Sequence, residues 1–226
     1  MLTGFSVAGT CFVEVTGLRV TGPGGDKPGV FVSGLATLSL HAVKVDNAGS
    51  VAVSCQGSTL SMDRVEIVGS HLGGVDLNNC LYTITNSVIA KNGGQFGGVR
   101  ITLPRAGSAF VNNTVVLNTA GGTTPGGVLC ASAAQIVNSV IWGNSPTDVS
   151  TICSVTFSNV SQSISGQGNI MHDPTFVNST TGDYRYQAGS WGIDSATPVG
   201  APAFDFDGAP RPYGASPDMG AFEWHP

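Results

Sequence analysis

Short triplets of apolar, outward-facing and apolar residues return along the first two-thirds of the chain at nearly fixed spacing. Val30-Phe31-Val32, Val51-Ala52-Val53, Val75-Asp76-Leu77, Val99-Arg100-Ile101 and Val128-Leu129-Cys130 start 21, 24, 24 and 29 residues apart, each behind Gly or Ser. Alternation of this kind marks a strand with one face buried. Leu40, Met62, Ile84, Val111 and Ile136 read as a second inward ladder, and Val45, Ile67, Ile89, Val116 and Ile141 as a third. A longer echo runs through the same region. Ile136-Val137-Asn138-Ser139-Val140-Ile141 repeats Ile84-Thr85-Asn86-Ser87-Val88-Ile89, and Val111-Asn112-Asn113-Thr114-Val115-Val116 repeats it more loosely. Aligning Asn86, Asn113 and Asn138 gives steps of 27 and 25 residues.

Three strands per turn of about 22–24 residues, with no helical period for a crossover, predict an all-β, right-handed, single-stranded parallel β-helix. The coils are expected over residues 1–165 and an irregular C-terminal cap segment over 166–226, packing on the helix. Two corners, Leu103 to Gly107 and Thr119 to Gly126, are longer than their neighbours and are expected to protrude. The asparagines at the repeated corner suit left-handed backbone and can bond neighbouring rungs. In the coils carrying them, the ladder position of Lys44 and Glu66 becomes Val88, Val115 and Val140. An apolar ladder facing water needs cover. The C-terminal segment, through Ile170, Phe176, Val177 and Tyr184, is expected to supply it.

Composition suits many short strands and tight corners: 32 glycines and only 10% charged residues. The net charge of −5 is uneven. Residues 1–146 carry six carboxylates against seven Lys and Arg, and residues 147–226 carry eight against Arg185 and Arg211 alone. That pattern is no basic nucleic-acid footprint, so no nucleic-acid partner is expected. No run of 18 apolar residues occurs, so no membrane span is expected. Neither a basic n-region nor an apolar h-region follows Met1, and the repeat is already running at Phe5-Ser6-Val7. The expectation is the C-terminal portion of a longer or processed protein, or an open end covered by a partner.

Of the five cysteines, Cys55 and Cys80 lie about one turn apart, as do Cys130 and Cys153. Neighbouring rungs put each candidate pair within reach of a disulfide; buried free thiols are the other reading. Cys11 is left over.

From about Ser161 the texture changes to Pro, Gly, Asp and aromatics. Asp173-Pro174-Thr175-Phe176-Val177-Asn178, Gly182-Asp183-Tyr184-Arg185, Gly189-Ser190-Trp191-Gly192-Ile193-Asp194, Asp205-Phe206-Asp207-Gly208 with Arg211-Pro212, and Asp218-Met219-Gly220-Ala221-Phe222-Glu223 follow in order. This run resembles the C-terminal region of bacterial exported β-helix repeat proteins, the choice-of-anchor Q type. It departs at Trp191-Gly192, where that pattern more often has proline and a small residue. The resemblance implies a pectate-lyase-like solenoid that is secreted or held at a cell surface, with signal and anchor absent from this chain. It implies no particular reaction.

Many parallel β-helices are polysaccharide lyases, glycosidases or esterases. Acid–base hydrolysis needs two carboxylates about 5 Å apart for retention or about 6.5–9.5 Å for inversion. Every residue from Leu77 to Thr147 lacks one, which counts against a hydrolase in the central coils. Outward charges fall instead in opposite pairs on adjacent rungs: Asp76 with Arg100, Lys44 with Glu66, His41 with Asp63. The catalytic alternative is a lyase in which Arg100 or Lys91 abstracts a proton and Asp76 holds Ca²⁺. One carboxylate makes a poor site for an ion that takes 6–8 oxygens. Lys91, Arg100 and Arg105 could form a cationic patch for an acidic glycan. Asp205-Phe206-Asp207-Gly208 has the spacing that opens many calcium loops. No glutamate follows at EF-hand distance, so an irregular Ca²⁺ site with Asp194 or Asp218 is weighed against turn-forming aspartates that pair with Arg211. The four histidines show neither ligand spacing nor a nucleophile partner. The leading expectation is a non-catalytic β-helix presenting loops to a polysaccharide or surface protein. The alternative is a lyase of acidic polysaccharide.

Overall fold

The computed structural model describes residues 2–22 and 25–226; the part of the leader reading that rests on Met1 lies outside them. The chain is a right-handed parallel β-helix of three stacked sheets. Six strands, from Phe5–Val7 to Val128–Cys130, form the first sheet. Seven, from Phe12–Thr16 to Cys153–Thr156, form the second, and seven, from Arg19–Thr21 to Asn159–Val160, the third. Each rung supplies one short strand to each sheet in turn, except the last, which adds strands only to the second and third, so pairing is parallel between successive coils. Among the described residues no helix is long and apolar enough to cross a membrane.

The register fixes the interior columns and corrects several of the sequence alignments. Val30, Val53, Val75, Val99 and Val128 stack in the first sheet, so Val53 rather than Val51 holds that column. In the second sheet Ile84 pairs with Phe110, and Phe110 is buried whereas Val111 is only partly so. In the third sheet Ile67, Ile89, Val115 and Ile141 align, which turns Val115 inward and puts Thr114 between Val88 and Val140 on the outer face. The equivalent corner asparagines are therefore Asn86, Asn112 and Asn138. The physical reason is that strands pair by hydrogen bonds, so one extra corner residue shifts the alignment without disturbing the apolar period.

Two buried polar ladders stitch the corners together. Asn92 donates its backbone N–H and its Nδ2 to Asn118 Oδ1, both at 2.9 Å; Asn118 does the same to Asn144 Oδ1, and Asn144 to Asp148 Oδ1. Each amide also bonds a carbonyl of the preceding rung, as Asn118 Nδ2 does to Ile89 O at 2.9 Å. The second ladder runs through Ser87, Asn113, Ser139 and Ser158 to Asn169, each side-chain oxygen accepting from the preceding member's N–H. Buried backbone at a corner needs such partners, because no water reaches it. Close stacking also demands a glycine at position 98, where an added Cβ would sit 2.6 Å from Gly127 O.

The outer face of the third sheet is covered. Val88, Ala90, Val116 and Val140 pack with Tyr184, Tyr186, Ala196, Met219, Ala221 and Phe222 in a second apolar cluster. Ile170 and Phe176 pack against it, while Val177 is exposed. The covering segment contains an antiparallel hairpin, Phe176–Asn178 with Asp183–Tyr186. The corner asparagines dock it. With φ of 46°, 53° and 54°, Asn86, Asn112 and Asn138 turn their amides outward. Asn86 Nδ2 donates to Phe204 O, Asn112 Nδ2 to Asp218 O, and Asn138 Nδ2 to Thr197 O, at 2.8–2.9 Å.

Candidate binding face and the placement of the candidate residues

Alternation in the first sheet turns Ser6, Phe31, Ser54, Asp76, Arg100 and Leu129 outward in one column. Asp76 and Arg100 meet there as direct cross-strand partners. Arg100 Nε donates to Asp76 Oδ1 at 2.8 Å and its terminal nitrogen to Oδ2 at 2.7 Å. Two parallel charge-assisted bonds of this kind are the strong form of the pair. The guanidinium carbon also lies 4.6 Å from the centre of the Phe96 ring. Phe96 itself is buried against Gly73, where a Cβ would overlap the ring at 2.2 Å. The hydrogen bond to Asp76 raises the Arg100 pKa above its ordinary value, against a smaller opposing effect of burial. A base that abstracts a carbon-bound proton must first shed its own. This arginine is held in the opposite direction.

The other two cations lie elsewhere. Lys91 sits at the corner leaving the third sheet and donates to Thr180 O at 2.7 Å, which ties it to the covering segment. Arg105 follows the first sheet, in the loop Leu103 to Gly107, and donates to Gly57 O at 3.2 Å. Lys91 and Arg105 thus occupy different corners of the coil, and each already has an internal partner. At the N-terminal end of the same face, Phe31, Lys27 and Gln56 help line a cleft of about 620 Å³.

Cys55 is bonded to Cys80 and Cys130 to Cys153, and Cys11 is free and exposed. Lys44 reaches Glu66 at 2.7 Å and His41 reaches Asp63 at 3.1 Å.

The aspartates of the calcium-loop spacing separate. Asp205 is buried; its Oδ1 accepts from Ala209 N at 2.7 Å and its Oδ2 from Glu223 N at 2.8 Å. Asp207 is exposed and lines a cleft of about 300 Å³ with Asp183, Arg185 and His225. Partial desolvation by the cleft walls, with the Asp205 carboxylate nearby, raises its pKa. Asp194 accepts from Ser216 N and Asp218 from the backbone of Asp194 and Trp224. Among the described residues no group of three or more His, Cys, Asp or Glu converges to hold a metal ion. Arg211 and Glu223 are paired and fully buried at 3.2 Å, within a cluster that also holds Asp205 and Asp218.

Sequence reasoning passed over two features. The Asn92–Asn118–Asn144 ladder carried a signal, its equal steps of 26 residues. The stack of Trp191 on His172, with ring centres 4.3 Å apart and 12° between planes, carried none beyond an unusual tryptophan.

No protein-family model matches the chain, and a search of curated proteins finds no relative. Among solved structures the chain is similar to pectate lyase Pel9A at 13% identity, covering 97% of this chain and 89% of that one with a TM-score of 0.34. A likeness at this level concerns the fold alone.

Proposed function

We propose that this is a non-catalytic β-helix protein that binds glycans, exported from a bacterium and secreted or displayed at the cell surface. The observation that supports the non-catalytic reading is the closed Asp76–Arg100 pair, whose two bonds leave neither a free base nor an open carboxylate on the first sheet. An acidic polymer drawn to Lys91, Arg100 and Arg105 would have to displace the internal partner of each. The C-terminal motifs, through their resemblance to the choice-of-anchor Q region, support export. The two cross-rung disulfides suit an oxidising compartment.

The test combines affinity electrophoresis in gels containing pectate, alginate, chondroitin, xylan, β-glucan or galactomannan with an assay for depolymerisation, each with Ca²⁺ and with EDTA. Retarded migration in at least one gel, without new chain ends, is the expected outcome. New unsaturated uronate ends that vanish in Arg100→Ala would overturn the reading and make the protein a lyase.

A further inference from the structure

We propose that Trp191 on the covering segment is the stacking platform of a subsite for a neutral pyranose polysaccharide, and that the adjoining cleft beginning at Asp173 seats the next part of the chain. This rests on the glycan-binding reading. Trp191 is 63% exposed, and it stands outside the apolar cluster under the covering segment. It therefore contributes little to packing. Yet it is held in place. His172 stacks on one face of the indole, and His172 is itself fixed by Asn159, which accepts from its N–H at 3.1 Å and donates to its carbonyl at 2.8 Å. Ser190, the residue before the tryptophan, donates to Pro174 O at 2.7 Å and joins the two segments. The result is an exposed indole with one face covered by the His172 ring, on backbone that is hydrogen-bonded to its neighbours. An electron-rich aromatic face suits the polarised C–H bonds on the flat side of a pyranose ring.

The segment that carries His172 continues directly into a cleft of about 440 Å³, lined by Trp142 and Phe176 and by the polar side chains Asp173 and Gln187. That volume and mixture fit a small-ligand site. Asp173 Oδ1 accepts from Thr175 N at 2.9 Å, and its Oδ2 has no partner among the described residues. Gln187 Nε2 donates to Phe176 O at 2.9 Å, which leaves its Oε1 likewise unused. Two unused acceptors on residues that line a cleft with aromatic walls can take hydroxyl donors. No lysine or arginine lines this cleft, and the Asp173 carboxylate repels a uronate. Charge therefore selects a neutral sugar over pectate or alginate.

The experiment is affinity electrophoresis of the full chain in β-glucan, galactomannan and pectate gels, for the native protein, Trp191→Ala and Trp191→Phe. The expected result is retardation by a neutral polymer and not by pectate, a loss of at least about tenfold in affinity for Trp191→Ala, and a partial loss for Trp191→Phe. Soluble ligand should also shield native tryptophan fluorescence from acrylamide, with less shielding in Trp191→Ala. Thermal unfolding of Trp191→Ala should match that of the native protein, because the side chain is exposed. Retardation by pectate alone, or by a neutral polymer equally in all three proteins, overturns the subsite and leaves the glycan-binding reading standing. Retardation by none of the wider polysaccharide panel overturns both.

Discussion

Arg100 shows how a surface charge becomes structural when its neighbours fill its bonding capacity. Asp76 is nearly buried and takes both guanidinium bonds, and Phe96 supports the cation from the side. Removing the arginine strands the carboxylate, whereas removing both partners strands nothing. Arg100→Ala should therefore cost about 1–2 kcal/mol, discounted because the guanidinium is one-third exposed to solvent. Asp76→Ala with Arg100→Ala should recover part of that loss. Urea unfolding of Arg100→Ala, Asp76→Ala and the double variant measures the coupling. The acids beneath the covering segment behave differently. Burial, partly offset by backbone donors at Asp194 and Trp224, pushes the Asp218 carboxyl up to about 7. Glu223 is raised too, again chiefly by burial. A folded-state pKa above the unfolded value near 4 means the folded protein holds the proton more tightly. That stabilisation is complete below the unfolded pKa and is lost as pH rises through about 7. The melting temperature should thus fall as pH rises from roughly 4 to 7 and level off above that, and Asp218→Asn should flatten the slope, whatever it does to the absolute value. A slope equal to the native one in Asp218→Asn would rule this carboxyl out as the source.

At the scale of the strand and the corner, the same asparagine chemistry serves two purposes. Inward asparagines such as Asn118 satisfy buried backbone between rungs, and outward ones such as Asn112 hold the covering segment. Asn112 also sits in left-handed backbone, so its replacement by alanine would confuse strain with lost bonding. Asn112→Gly separates them, since glycine accepts that conformation freely. It should leave the backbone pairing of the coils in place while removing the bonds to Asp218 O and Gly220 O and the one that Asn112 Oδ1 accepts from Asn138 Nδ2. The expected readout is faster limited proteolysis within residues 195–222, with little change in circular dichroism. The repeat made the fold class legible because every rung places its residues in the same environment, and the apolar alternation records that directly. Register was less legible for a specific reason: Asn112 and Asn113 are adjacent and identical. Only the hydrogen bonds decide that Asn113 joins Ser87 and Ser139 inside while Asn112 takes the outer corner. The cation set Lys91, Arg100 and Arg105 recurs at strand and loop positions along the chain, but spacing does not reveal that Thr180 O and Gly57 O already hold two of its members.

For the whole molecule, the covering segment replaces solvent on one side of the solenoid and leaves the other two sides open. The outer faces of the first and second sheets mix polar and charge-paired residues with scattered apolar ones such as Phe12, Phe31 and Leu129, and meet water without help. The third sheet could not, because Val88, Ala90, Val116 and Val140 gather in one apolar patch across three successive rungs, interrupted only by Thr114. Burying a valine contributes about 1.5–3 kcal/mol, and this patch presents three of them beside the rings of Tyr184, Tyr186 and Phe222. Truncation after Ser165 would expose all of it at once. It would also strip the Asn112 amide of both its carbonyl partners and leave the Asn138 amide only its bond to Asn112 Oδ1, and it would remove Asn169, which accepts the Ser158 N–H and bonds the Val155 carbonyl at the end of the inner ladder. The truncated chain should therefore aggregate or bind a hydrophobic dye strongly. Substituting Val88, Val116 and Val140 with threonine in that truncated chain should restore much of its solubility, because threonine keeps the β-branched shape while adding a hydroxyl. A truncated chain as soluble and heat-stable as the parent would show that the patch needs no cover. Aggregation that the threonines fail to relieve would shift the cause from the exposed valines to the severed ladder at Ser158 and Val155.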